Sequence, residues 1–521
     1  LNVMILLRQS NILRYVRGSD QDYNDWAELV DDPSSSWSSN NLKKYMRKHQ
    51  TLEPIDDAIT ERSTMPFIVD NHGSSGPVRT SFNDFRLPIE DDVIKACDDA
   101  SGYAKKPLDP WSGDHIGFYN TLGTVARTGP NRGKRSYAAR GYFEAVSANR
   151  PNLKVLCEAY CTGIVIEDAT AKGINFTHGG SAHTVHVKRE VIVTGGTIMS
   201  PQILELSGIG DPEVLRAAGI EIKVENKGVG NNFQDHVVVL TGQKLAPGYA
   251  SLDSIYDPEV MAGAQKTLME TGGGPLTGIS SVQGFFPYKL FATEDELQAT
   301  IKSITNGPTT TPFHQKQLEL VAAHVASDTS ANLQFVLVAA TPGTEHGVED
   351  QSKLFPPVDP SKGMGITLAA CLQYPASRGS VHISTSDPKV YPTIDPGYLT
   401  HPADVAVLAA GLKFCDAVAK SSHLKDKLAS RIFPAENVDL TDTKQAEQAV
   451  RDWCLGEYHP VGTCAMGDVV DARLKVKGVK GLRVADASVF PNHVSGNIVS
   501  SVYAVAEKAA DIIKEDWNMG S

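Results

Sequence analysis

The sequence predicts a mixed α/β protein made of more than one unit. Three observations carry this. At 521 residues the chain exceeds what a single ordinary core accommodates. The stretch KVLCEAYCTGIVIED (Lys154 to Asp168) is alternating and β-branched, as a strand pair would be, and TVHVKREVIVT (Thr184 to Thr194) reads as a further strand. GTIMSPQILELSGIG (Gly196 to Gly210) then places a small-residue turn, a Ser-Pro helix start and a Gly stop directly after that strand, which is a β-turn-α unit.

Composition narrows the function classes. With 41% hydrophobic and 21% charged residues, the chain has an ordinary globular balance. A net charge of -12 and the lack of any basic run argue against a nucleic-acid or anionic-membrane partner. No apolar run approaches the length of a membrane span. The seven cysteines are irregularly spaced without a C-x-x-C, so neither a metal site nor a disulfide framework is expected. The opening LNVMILLRQ has a short apolar run and no cleavage site, so no signal peptide is read and no compartment follows.

In chain order, residues 19 to 62 are polar, with Trp26, Trp37 and a Ser-rich patch before the helical stretch NNLKKYMRKHQ. PIEDDVIKACDDASGY predicts a helix, and Arg135, Ser136 and Ala138 begin another. Residues 240 to 330 read as helical or irregular, with a turn at Gly272-Gly273-Gly274-Pro275. Strands return at LQFVLVA and at GITLAACLQYPASRGSVHIST, and Ala403 to Lys420 has the spacing of a long amphipathic helix. In the last segment, EYHPVGTCAMG (Glu457 to Gly467) is followed by GLRVADASVFPNHVSGNIVSSVYAVAEKAADII (Gly481 to Ile513). Its helix is expected to set Ile498, Val502, Val505, Ala506, Ala509 and Ile513 on the core face.

Four separated stretches resemble the glucose-methanol-choline (GMC) family of flavin oxidoreductases. Asn11, Tyr15 and Gly18 meet the N-x-x-x-Y-x-x-G end of its first signature, with Ile5-Leu6-Leu7-Arg8 standing where relatives carry a Gly-Gly-Ser-Ser turn. Gly196 to Gly210 fits its second signature at Gly196, Thr197, Ser200, Pro201, Ile203, Leu204, Ser207, Gly208, Ile209 and Gly210. GVGNNFQDH (Gly228 to His236) and HPVGTCAMG with its downstream SGN follow in family order. The resemblance implies a discontinuous, Rossmann-like FAD-binding domain and a substrate domain with a mostly antiparallel sheet backed by helices. The implied segments are 1–62 (a remnant of the FAD-binding domain and lid), 63–150 (substrate domain), 151–240 (FAD-binding), 241–454 (substrate domain) and 455–521 (FAD-binding, with the catalytic pair).

The resemblance also implies the site. His459 corresponds to the catalytic histidine and Asn497 to its partner, a position where relatives carry His or Asn. An imidazole suits removal of an alcohol proton as hydride leaves for flavin N5, and an amide can orient the alcohol oxygen but takes no proton. Asn11, Cys161, Asp486, Ala487, Asn497 and Ile498 are the implied FAD contacts. Taken alone, His459 reads as a loop histidine before Pro460 and Asn497 as a residue favoured at a helix start. The family's G-x-G-x-x-G, which seats the FAD pyrophosphate, is absent here, since Gly208-Ile209-Gly210 and Gly228-Val229-Gly230 both lack the third glycine. The expectation is a member lacking the N-terminal βαβ unit, with a weakened FAD site. The implied function is oxidation of a small alcohol, with oxygen or a quinone as electron acceptor. A lyase or cyclase with structural flavin, and a truncated chain without FAD or activity, are the alternative readings.

Overall fold

The structure is a computed structural model that describes residues 13–103 and 105–519. Its largest sheet has seven strands. Six run in the order Leu428–Phe433, Val237–Leu245, Gly365–Leu372, Leu333–Val338, Val282–Phe286 and Gly117–Asn120, and Leu455–Gly456 pairs with the start of Val237–Leu245. Every pairing in it is antiparallel. One face is covered by helices Pro88–Ser101, Glu294–Thr305, Pro312–Ala326 and Pro402–Lys420, and the largest apolar core lies between.

Helix Pro402–Lys420 starts where its sequence says it should. His401 accepts the Ala403 N–H through its side chain, and Pro402 needs no partner at the first helical position. Its middle is pressed onto the sheet at Gly411, where an added Cβ would stand 2.6 Å from the Ala370 Cβ. Helix Pro88–Ser101 likewise begins on proline and ends on Gly102, whose left-handed backbone (φ 74°) returns its N–H to the Asp98 carbonyl.

A second core holds Trp26, Trp37, Met466, Val484, Phe490 and Val505. It is framed by the parallel pair Val191–Val193 and Leu482–Val484, the helix Gly196–Leu206 and the C-terminal helix Val499–Asp516. The C-terminal helix packs on Ser39–His49, whose Leu42, Tyr45, Met46 and His49 form the buried stripe. Alongside runs an antiparallel sheet of Tyr160–Glu167, Thr170–His178 and Ser181–His186.

The structure departs from the sequence reading at five places. Residues 153–159 form no strand, and Leu153, Val155 and Leu156 are exposed, so only Tyr160–Glu167 of the expected pair is extended there. Its partner is the following strand, Thr170–His178. The run from Thr184 to Thr194 is two strands, broken at the charged Lys188-Arg189-Glu190. The helix expected from Arg135 is a six-residue π-helix that begins four residues later, Ala139–Glu144. Within 240–330 lies the strand Val282–Phe286, buried along its whole length. On the C-terminal helix Ala506 is exposed, and Lys508 takes a place in the buried stripe, its ammonium 4.5 Å from the centre of the Trp37 ring. The long lysine stem covers apolar surface while its head finds the Ser36 carbonyl.

Candidate active site

The turn carrying His459 is zipped along the residues that precede the long sheet strand. Gly456 and Leu455 pair with Val237 and Val238, the Glu457 N–H donates to the His236 carbonyl (2.9 Å), and Val461 and Gln234 exchange backbone hydrogen bonds. Asp235 fixes the centre of this turn. One of its oxygens accepts the His459 N–H (2.7 Å) and the other the Tyr398 hydroxyl (2.6 Å). Burial pushes the Asp235 carboxyl up to about 6. Tyr458, just before His459, has φ 62°, a left-handed backbone that a non-glycine residue adopts only when its surroundings impose it.

From the other side, helix Gly196–Leu206 grips the same turn. The Thr197 hydroxyl donates to the Pro460 carbonyl (2.7 Å), and the Thr463 hydroxyl to the Thr197 carbonyl (2.6 Å). Asn497 is delivered by Gly496, which has φ 85° and sits so close to Val16 that a Cβ would stand 2.4 Å from its Cγ1. Only glycine fits there.

These constraints bring the Asn497 amide within 3.0 Å of His459 Nε2. The hydrogen-bond chain around them fixes the tautomers. His236 Nε2 lies 3.1 Å from the Val494 carbonyl, which can only accept, so that nitrogen carries the hydrogen. His236 Nδ1 is then the acceptor in its 3.0 Å contact with His459 Nδ1. His459 therefore bears its hydrogen on Nδ1, and its Nε2 lone pair faces the Asn497 amide. Gln334 donates to Asn497 Oδ1 (3.4 Å), which turns the Asn497 amide nitrogen toward the imidazole.

Burial, the neighbouring His493 and the Arg14 guanidinium push His459 down to about 3. Burial and the two adjacent imidazoles hold His236 well below the ordinary histidine value. Both rings are thus neutral across the physiological range. Glu457 completes the group, with Oε2 3.7 Å from Nδ1 of both histidines and without a hydrogen-bond partner. Burial pushes this carboxyl up to about 8, against the opposing pull of Arg14. His236, Glu457 and His459 could converge on a metal ion, with ligand atoms all within 4.8 Å of one another, but here the two Nδ1 atoms are hydrogen-bonded to each other.

The remaining sequence-derived positions fall in three places. Asp486 uses its carboxylate internally, accepting from the Gly196 N–H (3.0 Å), the Ser200 hydroxyl (2.6 Å) and the Ser488 N–H (2.8 Å). Ala487 accepts the Gly462 N–H at 3.4 Å, which ties it to the His459 turn, and Ile498 opens the C-terminal helix next to Asn497. Cys161 stands apart, half-buried on Tyr160–Glu167 opposite Phe176, and no hydrogen bond joins it to the others among the described residues. Asn11 lies outside the described residues. The sequence reading missed Arg14, Gln334 and Glu457 as site residues, and placed His236 in a motif without seeing that its ring meets His459.

One local observation bears on the flavin. Among the described residues no side chain caps the N-terminus of the 18-residue helix Val499–Asp516, which leaves its first-turn amides able to meet a polar edge of a ring system beside Asn497. The residues present therefore fit the ring end of FAD.

An α/β unit joined to a helix-backed antiparallel sheet, with a neutral imidazole and an amide where they meet, places the molecule among the two-part flavoprotein oxidoreductases. More narrowly, the chain belongs to the GMC oxidoreductase family, whose models match residues 10–238 and 375–506. "Dehydrogenase citC" of Monascus ruber is 40% identical over 526 residues, covering 98% of this chain and 83% of the relative. An FAD-dependent oxidoreductase from Chaetomium thermophilum shares the fold with TM-score 0.87 at 23% identity, over 98% of this chain and 86% of its own. A fungal aryl-alcohol oxidase superposes with TM-score 0.84 at 22% identity, over 98% and 85% of the two chains. The protein is an FAD-dependent oxidoreductase acting on a small-molecule donor, and the dehydrogenase relative favours oxidation over lyase chemistry.

Proposed function

We propose that the donor is an alcohol, oxidised at its carbinol carbon, with His459 as the base and Asn497 as the orienting residue. The observation that carries this reading is the His459 Nε2 lone pair, held 3.0 Å from the Asn497 amide inside a network that fixes its tautomer. An alcohol oxygen bound within reach of both would replace their mutual contact, accepting from the Asn497 amide and donating its proton to Nε2. The amide sets the angle of the carbinol, and burial excludes water from the pair. His493, whose ring lies 3.6 Å from that of His236, and Asp235, through the His459 backbone, hold the imidazole in place.

Asn497 and Ile498, at the uncapped helix start, would hold the ring end of FAD, and the Asp486–Ala487 strand end would pack beside it. When bound, FAD supplies the hydride acceptor. Asp486 contributes by positioning, since its carboxylate already serves Gly196, Ser200 and Ser488. Cys161, on its separate strand, and Asn11 are proposed as contacts to more distant parts of the cofactor. The pyrophosphate end has no G-x-G-x-x-G cradle among these residues, so FAD affinity is the first quantity to measure. The segments around 63–150 and 241–454 are assigned to the substrate side, and 1–62, 151–240 and 455–521 to the cofactor side. Oxygen or a quinone would reoxidise the flavin.

The test is anaerobic mixing of the FAD-loaded chain with a panel of primary alcohols while following flavin absorbance. Bleaching supports alcohol oxidation. Turnover of a substrate without any bleaching would instead point to lyase chemistry with a structural flavin.

A further inference from the structure

Arg14 is a buried cation that takes no direct part in the proposed proton and hydride transfers. It is buried to 4% exposure, and its NH2 donates to the Leu337 (3.2 Å) and Val282 (3.5 Å) carbonyls of the antiparallel sheet. Its NH1 and Nε have no hydrogen-bond partner, and no carboxylate ion-pairs with it among the described residues. Val16, two residues on, packs against Gly496, and Gln334, on the strand whose Leu337 carbonyl holds Arg14, donates to Asn497, so the Arg14 segment and its anchoring strand both abut the His459–Asn497 pair.

The neighbouring sheet side chains are also incompletely satisfied. Gln283 Oε1 and Asn497 Oδ1 both accept from Gln334 Nε2, yet Gln283 Nε2 and Gln334 Oε1, both fully buried, have no partners. Unpaired buried donors cost about 1–3 kcal/mol each, and an unpaired buried charge costs more. Around Arg14 the unmet groups are the guanidinium donors NH1 and Nε and the Gln283 amide nitrogen, with Gln334 Oε1 and Glu457 Oε2 as unmet acceptors, and of these only the guanidinium carries a permanent charge. Glu457, the nearest acid, is held largely protonated at neutral pH, so it supplies little compensating charge.

We infer that Arg14, assisted by Gln283, is an anion subsite of the donor pocket, and that the physiological alcohol carries a carboxylate or phenolate oxygen. Burial lowers the Arg14 guanidinium to about 10, which leaves it protonated at pH 7, so an anionic oxygen on NH1 would gain a charge-assisted hydrogen bond that an amide or ether cannot match. Two backbone carbonyls anchoring NH2 leave the group pre-organised, so little side-chain freedom is lost on binding. The inference rests on the alcohol-oxidation reading only in taking the anionic oxygen to belong to the same molecule as the carbinol.

The experiment uses a matched pair of probes, 4-(hydroxymethyl)benzoate and 4-(hydroxymethyl)benzamide, titrated calorimetrically into the FAD-loaded chain at pH 7, with flavin bleaching recorded separately. The carboxylate is expected to bind at least about tenfold tighter than the amide. Arg14→Met should erase that preference, whereas Arg14→Lys, which keeps the charge, should retain part of it. Equal affinities in the unmodified chain would overturn the subsite without any variant, as would a preference that survives Arg14→Met. If Arg14→Met does not fold, Gln283→Leu serves instead, and an undiminished preference in that variant would overturn the pairing of the two residues. Bleaching without anion preference removes the subsite and keeps alcohol oxidation, and anion preference without bleaching does the reverse.

Discussion

Replacing Glu457 by Gln should remove the pH dependence of the chemical step. Glu457 Oε2 lies 3.7 Å from His459 Nδ1, and burial pushes its carboxyl up to about 8. His459 is pushed down to about 3, so its own titration falls below the working range. From pH 5.5 to 7 both groups are therefore uncharged or nearly so. Above about 8 a carboxylate appears beside the Nδ1–H of the imidazole that receives the substrate proton, and it stabilises the imidazolium as it forms. Two full charges about 4 Å apart interact by about 4 kcal/mol at an effective dielectric near 20. With about half the charge developed in the transition state, about 2 kcal/mol remains, which is about 30-fold in rate.

The assay is anaerobic stopped-flow reduction of the flavin at saturating alcohol between pH 5.5 and 9.5. The rate should climb by one to two logarithmic units through a midpoint near 8, and Glu457→Gln should hold the low-pH plateau throughout. A flat profile in the unmodified chain, or a rise that persists in the variant, would refute the assignment. Stability offers an independent check on the same group. A carboxyl whose folded pKa is raised loses its proton more readily when unfolded, so its cost sets in above the ordinary value of 4.5 and grows up to about 8. Because 17% of the side chain is accessible, the gain for Glu457→Gln at pH 8 should be about 1–3 kcal/mol, vanishing at pH 4.5.

His459→Ala should slow flavin reduction by about 10²–10⁴-fold while flavin absorbance remains with the protein after gel filtration. Asp235→Ala removes the acceptor of both the His459 N–H and the Tyr398 hydroxyl, and urea unfolding should show a loss of about 2–4 kcal/mol. Gly411→Val forces a side chain into the 2.6 Å gap to the Ala370 Cβ, and the same measurement should show about 1–3 kcal/mol of overpacking strain.

What could be read from the sequence, and what could not, divides by the range of the interactions. The His459–Asn497 pair was legible only through the resemblance of its motifs to a family, since taken alone each residue reads as an ordinary loop or helix-start position. The structure brings the two side chains within 3.0 Å. Helices with clear ends, such as Pro88–Ser101 and Pro402–Lys420, were legible from the residues at those ends. The strand Val282–Phe286 was not, because it is buried on both faces and so shows no period-2 alternation, while Gln283 and Gly284 dilute its apolar character. Arg14 was equally silent, since the carbonyls that hold it are 268 and 323 positions away along the chain. The face of the C-terminal helix was misjudged because Lys508 lies over Trp37, and that packing is decided by a residue on another element.

The electrostatics of the group also bear on how His459, pushed down to about 3, could serve as the proposed base. As hydride leaves a carbinol, the oxygen–hydrogen bond weakens toward that of a protonated carbonyl, which is far more acidic than any imidazolium. A weak base is then sufficient, provided that it is unprotonated when the substrate arrives. Burial, His493 and Arg14 secure that condition for His459. Arg14 alone would also oppose the proton transfer, because it disfavours a positive imidazole beside it. An anionic oxygen on Arg14 would screen that charge and make His459 more basic only once the substrate is bound. Glu457 acts on the opposite side of the ring, through Nδ1, and in the same direction when it ionises. If this balance holds, a neutral alcohol should be slower than an anionic one in the reduction step itself, not only in binding, and the gap should narrow in Arg14→Met. Equal reduction rates for the two probes at saturation would show that Arg14 acts on affinity alone.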